Sequence, residues 1–302
     1  MMVGVDIRDG EVLAVTVDDD GAITSRAAIE TRNTDVVAAA TSAVERVTPA
    51  SSDASSLGIA TSALDTSIAS SVIDALTSRY AALFPQRAVL GPGTAAAVAE
   101  SWTGAARGVA DVVYFGVADH ATAGVVCKGR AVLGAHGREP LVGWLALNPV
   151  EREDYRRAGC LEAEVAAAGI VRRLVWRIKA GDRSRVQDKA GGELSAITAS
   201  LIFEAAREKD GVSISVMRDT AKYLGMAAAN LVLMADPATL VLGGVMASAR
   251  DLLFEPILWE LGRKVPGPMM EALEIVTATL GDDAAAIGAA RHANVQLKLD
   301  AT

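Results

Sequence analysis

Few residues in this chain combine a reactive side chain with a position able to use it. Asp6-Ile7-Arg8-Asp9-Gly10-Glu11 gathers carboxylates and a guanidinium around a turn. Asp119-His120 offers an acid beside an imidazole, a pairing used for proton transfer or metal ligation. An ordinary polar hairpin turn explains those two residues better. Gly243-Gly244 follows the apolar run Leu240-Val241-Leu242. Without side chains there, the backbone can approach an adenosine moiety, or equally a neighbouring strand or helix. Gly281-Asp282-Asp283 reads as the cap of a closing helix, because Asp at a helix start accepts orphan N–H bonds. Cys127 and Cys160 are the only cysteines and have no CxxC or CxH neighbour. They read as reduced thiols rather than a disulfide framework.

The elements that must carry these residues fall into two similar halves. Val3–Ile7, Glu11–Val17 and Ala22–Glu30 are β-rich runs separated by Arg8-Asp9-Gly10 and by Asp18-Asp19-Asp20-Gly21, which predicts an antiparallel meander. Helical periodicity over Asn33–Val47 follows, with a buried strand at Leu57–Ala60, a helix at Ser67–Leu83, a strand at Ala88–Leu90 and an Ala-rich helix at Thr94–Ala106. A second meander is predicted at Asp111–Val117, Thr122–Cys127 and Ala131–Leu133, with Lys128-Gly129 as a tight turn. Gly143–Asn148 reads as an added strand, and Glu151–Asp236 as almost wholly helical. Thr239–Leu242 and Glu274–Thr279 are further strands, and Asp283–Gln296 is the closing helix. Two copies of such a unit predict a duplicated two-lobed α/β protein, with ligands at the strand ends between the lobes. Trp102, Trp176 and Trp259 lie in helical patterns and read as packing residues.

Composition narrows the classes. At 302 residues the chain is long for one domain and comfortable for two. It is 51% hydrophobic but only 4% aromatic, so the core must be aliphatic. With 29 basic against 37 acidic residues the net charge is −8. That disfavours direct nucleic-acid binding, which needs clustered Lys and Arg. Met1-Met2-Val3-Gly4-Val5-Asp6 has no basic leader region, and the apolar stretch Met226–Met246 is broken by Asn230, Asp236 and Pro237. A cytoplasmic protein that does not enter a membrane is expected.

Several segments together resemble the ROK (repressor, open reading frame, kinase) family of the actin-like, hexokinase and Hsp70 ATPase superfamily. They are Thr94-Ala-Ala-Ala-Val-Ala-Glu100 with Gly104-Ala-Ala-Arg107, Asp111-Val-Val-Tyr-Phe115, Gly159-Cys-Leu-Glu-Ala163, Leu240-Val-Leu-Gly-Gly-Val-Met-Ala-Ser248 and Leu280-Gly-Asp-Asp-Ala-Ala-Ala-Ile-Gly-Ala-Ala290. They span the chain in the family's order. The resemblance implies a two-lobed actin-like ATPase (ribonuclease H-like) fold. Residues 1–107 would form the first lobe and 108–282 the second, with the final helix, 283–296, folding back onto the first. It also implies a homodimer.

Against the family's pattern, the chemistry is depleted. Where the family reads Asp-Ile-Gly-Gly-Thr-Lys, this chain keeps Asp6 but places Arg8, Asp9 and Glu11 where glycines and a lysine would meet phosphate. The family's second Gly/Thr loop becomes Ala118-Asp119-His120-Ala121-Thr122-Ala123-Gly124. The Asn-Asp-Ala-Asn segment that supplies the catalytic base aligns with Gly91-Pro92-Gly93-Thr94, so the base position is Pro92. The Glu-x-Gly-His near the sugar becomes Leu141-Val142-Gly143-Trp144, with Trp144 expected to fill part of the cleft. The zinc-binding stretch becomes Glu153–Cys160, with one thiolate; a structural zinc needs four ligands, so none is expected. Glu153 reads as a solvated surface carboxylate. Gly58–Asp65 lacks the family's Pro-Gly turn and part of its sugar-binding wall.

The expectation is therefore a non-catalytic, sugar-kinase-like protein acting as a ligand sensor, regulator or protein-interaction module, with no catalytic residue and no metal. Its ligand, a small sugar-like molecule or another protein, would meet Asp6, Pro92, Thr94, Asp119, His120 and Trp144, with Gly243 and Gly244 on the nucleotide side. One alternative is the effector part of a ROK repressor, whose helix-turn-helix would precede the first strand; this chain starts at that strand. The other is an ATP- and Mg-dependent sugar kinase with its base displaced to Asp65, Asp119 or Asp9.

Overall fold

Both halves begin with the turn chemistry that the sequence announces. Asp9-Gly10 joins β1 (Met2–Arg8) to β2 (Glu11–Val17), with Gly10 at φ +81°. Lys128-Gly129 joins β7 (Ala121–Cys127) to β8 (Arg130–Ala131), both residues at positive φ. The computed structural model describes residues 1–32, 35–48, 56–61, 66–80, 83–84 and 86–300.

The first sheet adds β3 (Ile23–Glu30), β4 (Ser56–Ala60) and β5 (Gln86–Leu90) in the order β3-β2-β1-β4-β5. The first three strands pair antiparallel, while β4 and β5 run parallel to β1. The second sheet, from β6 (Val112–Val117), β7, β8, β9 (Thr239–Gly244) and β10 (Glu274–Thr277), is ordered β10-β9-β6-β7-β8. Taken from its other edge, that is the first sheet's order again, with the same antiparallel and parallel pairings. The duplication is thus topological as well as compositional.

Helices α1 (Val36–Val47), α2 (Thr66–Tyr80) and α3 (Pro92–Trp102) belong to the first half. Between β8 and β9 come α4 (Glu153–Ala158), α5 (Cys160–Val165), α6 (Ala167–Lys179), α7 (Arg185–Lys189), α8 (Ala199–Arg207) and α9 (Gly211–Ala235). Then follow α10 (Val245–Ser248), α11 (Arg250–Gly262), α12 (Gly267–Ala272) and α13 (Ala284–Asp300).

Strand alternation decides which layer each residue joins. In β2, Val12 and Ala14 face Ala39, Ala40 and Val44 of α1, whereas Leu13, Val15 and Val17 face the layer built by α3 and α13. In β6, Val112 and Tyr114 meet that same middle layer, while Val113, Phe115 and Val117 enter a larger core with α5, α6, α9 and α11. Each buried aliphatic side chain contributes about 1.5–3 kcal/mol. The middle layer is thin because it is made of alanine and glycine: a Cβ on Gly58 would lie 1.9 Å from the Ala289 carbonyl oxygen of α13. This explains how a core with so few aromatics stays dense.

One element differs from expectation. Residues 143–148 form no strand; Val142–Trp144 is a single 3-10 turn. Pro140 and Pro149 bracket the segment, and the carbonyl of Gly143 lies where a Cβ on Gly159 would sit, 2.3 Å away. The segment therefore packs against the α4–α5 junction rather than a sheet edge.

Candidate functional site

The two meanders aim equivalent turns at each other. From the first, Arg8 folds back so that its guanidinium binds the carboxylate of Asp6 and the carbonyl oxygen of Asp282, and lies 3.7 Å from Glu11. Asp6 is 3% exposed. Burial pushes its carboxyl up from the ordinary aspartate value, and the Arg8 charge opposes that rise. A fixed cation thus already sits on this carboxylate.

From the second meander, His120 reaches out of the β6–β7 turn. Its Nε2 is 2.8 Å from Asp9 Oδ2 on the opposite turn, and its Nδ1 is 3.1 Å from Glu162 Oε1 of α5. The other oxygen of Glu162 accepts the Ala121 N–H at 3.0 Å. The bond to Glu162, helped by Asp9, raises the imidazole to about 9 against the opposing effect of burial. At neutral pH the group is an imidazolium between two carboxylates, and it ties the two turns together. His120 therefore does not pair with Asp119, which projects exposed from the same turn. A plain hairpin turn understates it.

The start of α3 forms the floor. Gly91 is its N-cap and Pro92 its first residue, followed by Gly93 and the fully buried Thr94. A Cβ on Gly93 would lie 2.5 Å from Ala123 backbone, so the helix start is pressed onto β7. Pro92 offers no proton acceptor, but a carboxylate arrives from elsewhere. Glu139, 8% exposed, lies against Gly91 and accepts the Thr94 N–H at 2.9 Å through Oε2. Burial raises its carboxyl to about 7, while the backbone N–H groups of Thr94 and Gly93 hold it from rising further. Sequence reasoning missed Glu139. It stands two residues before the aligned Leu141 and is the only acidic residue between Asp119 and Glu151, which was the available signal.

The remaining expected residues divide between packing and surface. A Cβ on Gly243 would meet the Tyr114 hydroxyl at 2.2 Å, and Gly244, at φ +59°, comes within 2.0 Å of the Val117 carbonyl oxygen by the same measure. Tight packing alone requires both glycines. Trp144 does not fill the cleft as expected: it is 46% exposed on its 3-10 turn. Trp176 and Trp259 are 70% and 65% exposed and are not packing residues; Trp102 is packed against the middle layer. Asp283 gives its carboxylate to Arg26 of β3 at 2.8 Å. Asp65 lies outside the described residues.

A triphosphate with its metal does not fit the residues present. Asp6 is taken by Arg8 and His120 by Asp9 and Glu162, and the turns otherwise present the carboxylates Glu11 and Asp119. Nor does zinc fit. Cys160 is buried at the start of α5, and no group of three or more His, Cys, Asp or Glu is placed to hold a metal among the described residues. No helix among them is long and apolar enough to cross a membrane.

Duplicated five-stranded sheets around a shared middle layer, with paired turns facing across it, define a sugar-kinase-like, actin-like two-lobed fold. The ROK family glucokinase of Streptomyces griseus, solved in complex with glucose and AMPPNP, superposes with a TM-score of 0.80 at 24% identity, over 97% of this chain and 99% of that one. The ROK family profile matches residues 93–295, and the chain belongs to the ROK family. It is 30% identical over 198 residues to a glucokinase of Halalkalibacterium halodurans, covering 64% of this chain and 59% of that protein. It is 28% identical over 194 residues to the N-acetylglucosamine repressor of Escherichia coli O6:H1, covering 64% and 46%. Kinases and regulators thus both stand among its relatives, and the match spans about half of each.

Proposed function

We propose that this ROK protein keeps the sugar-kinase scaffold without phosphoryl transfer and works as a ligand-responsive regulatory or interaction module. The observation that carries this reading is the occupation of the phosphate side of the cleft by the chain itself. Arg8 neutralises Asp6, and Asp9–His120–Glu162 joins the turns that would have to part around a triphosphate. Transfer needs a positioned base and cations aimed at the moving phosphoryl group. Here the base position is Pro92, and both turn cations, Arg8 and His120, are already paired with the chain's own carboxylates.

A small sugar-like molecule in the cleft beside the α3 start is the ligand this reading favours, since named relatives are glucokinases and an N-acetylglucosamine repressor. Binding there would bias the opening of the two lobes, and a partner protein would read the change. The match to a named repressor supports a regulatory role.

Glu139 favours a second reading. A carboxylate titrating near neutrality beside the α3 start has the properties of a general base, and phosphoryl transfer to a sugar would then run with the base moved from Pro92 to Glu139. Asp9 is less suited to that task, being held by His120.

Thermal-shift measurements with hexoses and amino sugars, with and without MgATP, separate the two. The regulatory reading predicts that a sugar raises Tm and MgATP neither raises it nor adds to the sugar's effect. A shift by MgATP that grows with sugar would establish the kinase reading instead.

A further inference from the structure

Away from the cleft, a cavity of about 770 Å³ opens between α6, α9 and the segment before α4. Its lining carries five cations, Arg152, Arg172, Arg173, Arg177 and Lys222, against three carboxylates, Asp154, Glu164 and Asp219. Arg177 is already paired with Asp182, just outside the lining, at 2.6 Å, which leaves a local surplus of one positive charge on a chain that carries −8 overall.

Two of the three carboxylates are already engaged. Glu164 accepts Tyr155 Oη and, at 3.2 Å, Arg152 Nη1, and Asp154 pairs with Arg172. The cations are not all satisfied. Arg173 donates through Nη2 to Thr220 and its Nη1 lies 3.8 Å from Glu164 Oε2, but its buried Nε and Nη1 find no hydrogen-bond acceptor among the described residues. Arg172 is shifted downward by burial and by the charges of Arg152 and Arg173. A cluster of guanidiniums that repel one another in a half-buried cavity is relieved by an anion. At the wall stands Trp176, one turn beyond Arg172 on α6 and exposed over 70% of its surface. An indole left in water beside a charged cavity offers a flat face for stacking.

We propose that this cavity binds a ring-bearing phosphomonoester, the phosphate seated among Arg172, Arg173 and Lys222 and the ring against Trp176. Such a group, with a charge of about −1.5 to −2 near pH 7, offsets the local surplus and supplies acceptors for the Arg173 nitrogens that lack one. The site is independent of the cleft and of whether the cleft performs chemistry.

Titration calorimetry on the full chain tests it, with glucose 6-phosphate and adenosine 5′-monophosphate as the two probes, and inorganic phosphate and glucose as their separate parts. At least one probe should bind, more tightly than either part and more weakly as salt is raised. Lys222→Gln and Trp176→Ala alter exposed side chains and so leave the fold intact; the first should weaken binding by about tenfold, the worth of one charge-assisted contact, and the second by about three- to tenfold through lost ring stacking. The result differing between the two probes would say whether the ring is a sugar or a base. The proposal is overturned if neither probe binds, if inorganic phosphate binds as well as both, or if both variants bind as tightly as the unaltered protein, which would place the ligand elsewhere.

Discussion

Glu139 both titrates near neutrality and accepts an N–H at the start of α3, so its charge and that helix are coupled. Its carboxyl is raised in the fold from an ordinary value of 4.5 to about 7. The folded state therefore holds the proton more tightly, and stability falls as pH rises between those values. Glu139→Gln keeps an acceptor for the Thr94 N–H and removes the titration. It should flatten the pH dependence of urea unfolding between pH 4.5 and 7 and stabilise the protein above it. Glu139→Ala loses the cap and should cost about 0.5–2 kcal/mol at pH 5. His120 runs in the same direction, over a higher pH window. Raised from 6.5 to about 9, it contributes stability that is fully present below pH 6.5 and lost as pH rises through 9. Tm measured against pH for His120→Gln should run below the unaltered protein at pH 6 and converge with it near pH 10. The difference will be modest, because the imidazole is more than half exposed. Neither residue's role was legible in the sequence: Glu139 lies 45 residues from Thr94, and His120 lies 111 from Asp9. Only the closed fold makes them neighbours.

At the scale of elements, the sequence was far more informative, because period-2 and 3.6-residue patterns act locally. The turns at Asp9-Gly10 and Lys128-Gly129, both meanders and the parallel strands β4, β5, β9 and β10 follow from chain chemistry alone. The segment 143–148 did not, since an apolar run between prolines reads as a strand until its neighbours are known. The element on which the cleft depends is α3, held between β7 and α13. Gly93→Ala tests that packing. Alanine favours a helix over glycine by about 1 kcal/mol, but here its Cβ would meet Ala123 backbone atoms that cannot move without displacing β7. Overpacking costs about 1–3 kcal/mol, so the clash should win and the urea midpoint should fall. A rise would mean that α3 sits more loosely on β7.

For the whole molecule, the duplicated lobes leave one place where their turns meet, and the chain has filled it with its own charges. Arg8 on Asp6 and the imidazolium between Asp9 and Glu162 make a closed arrangement that needs no ligand. On the proposed function, this arrangement would keep the ROK scaffold without phosphoryl transfer. The depleted loops were visible in the sequence as departures from a pattern, but how Arg8 and His120 use the vacated positions required the fold. Coupled ADP release over a panel of hexoses and amino sugars, with the unaltered protein and with Glu139→Gln, is the direct test. The account predicts no sugar-dependent turnover from either. Sugar-dependent ADP release by the unaltered protein, abolished in Glu139→Gln, would contradict it and make Glu139 the base of a working kinase.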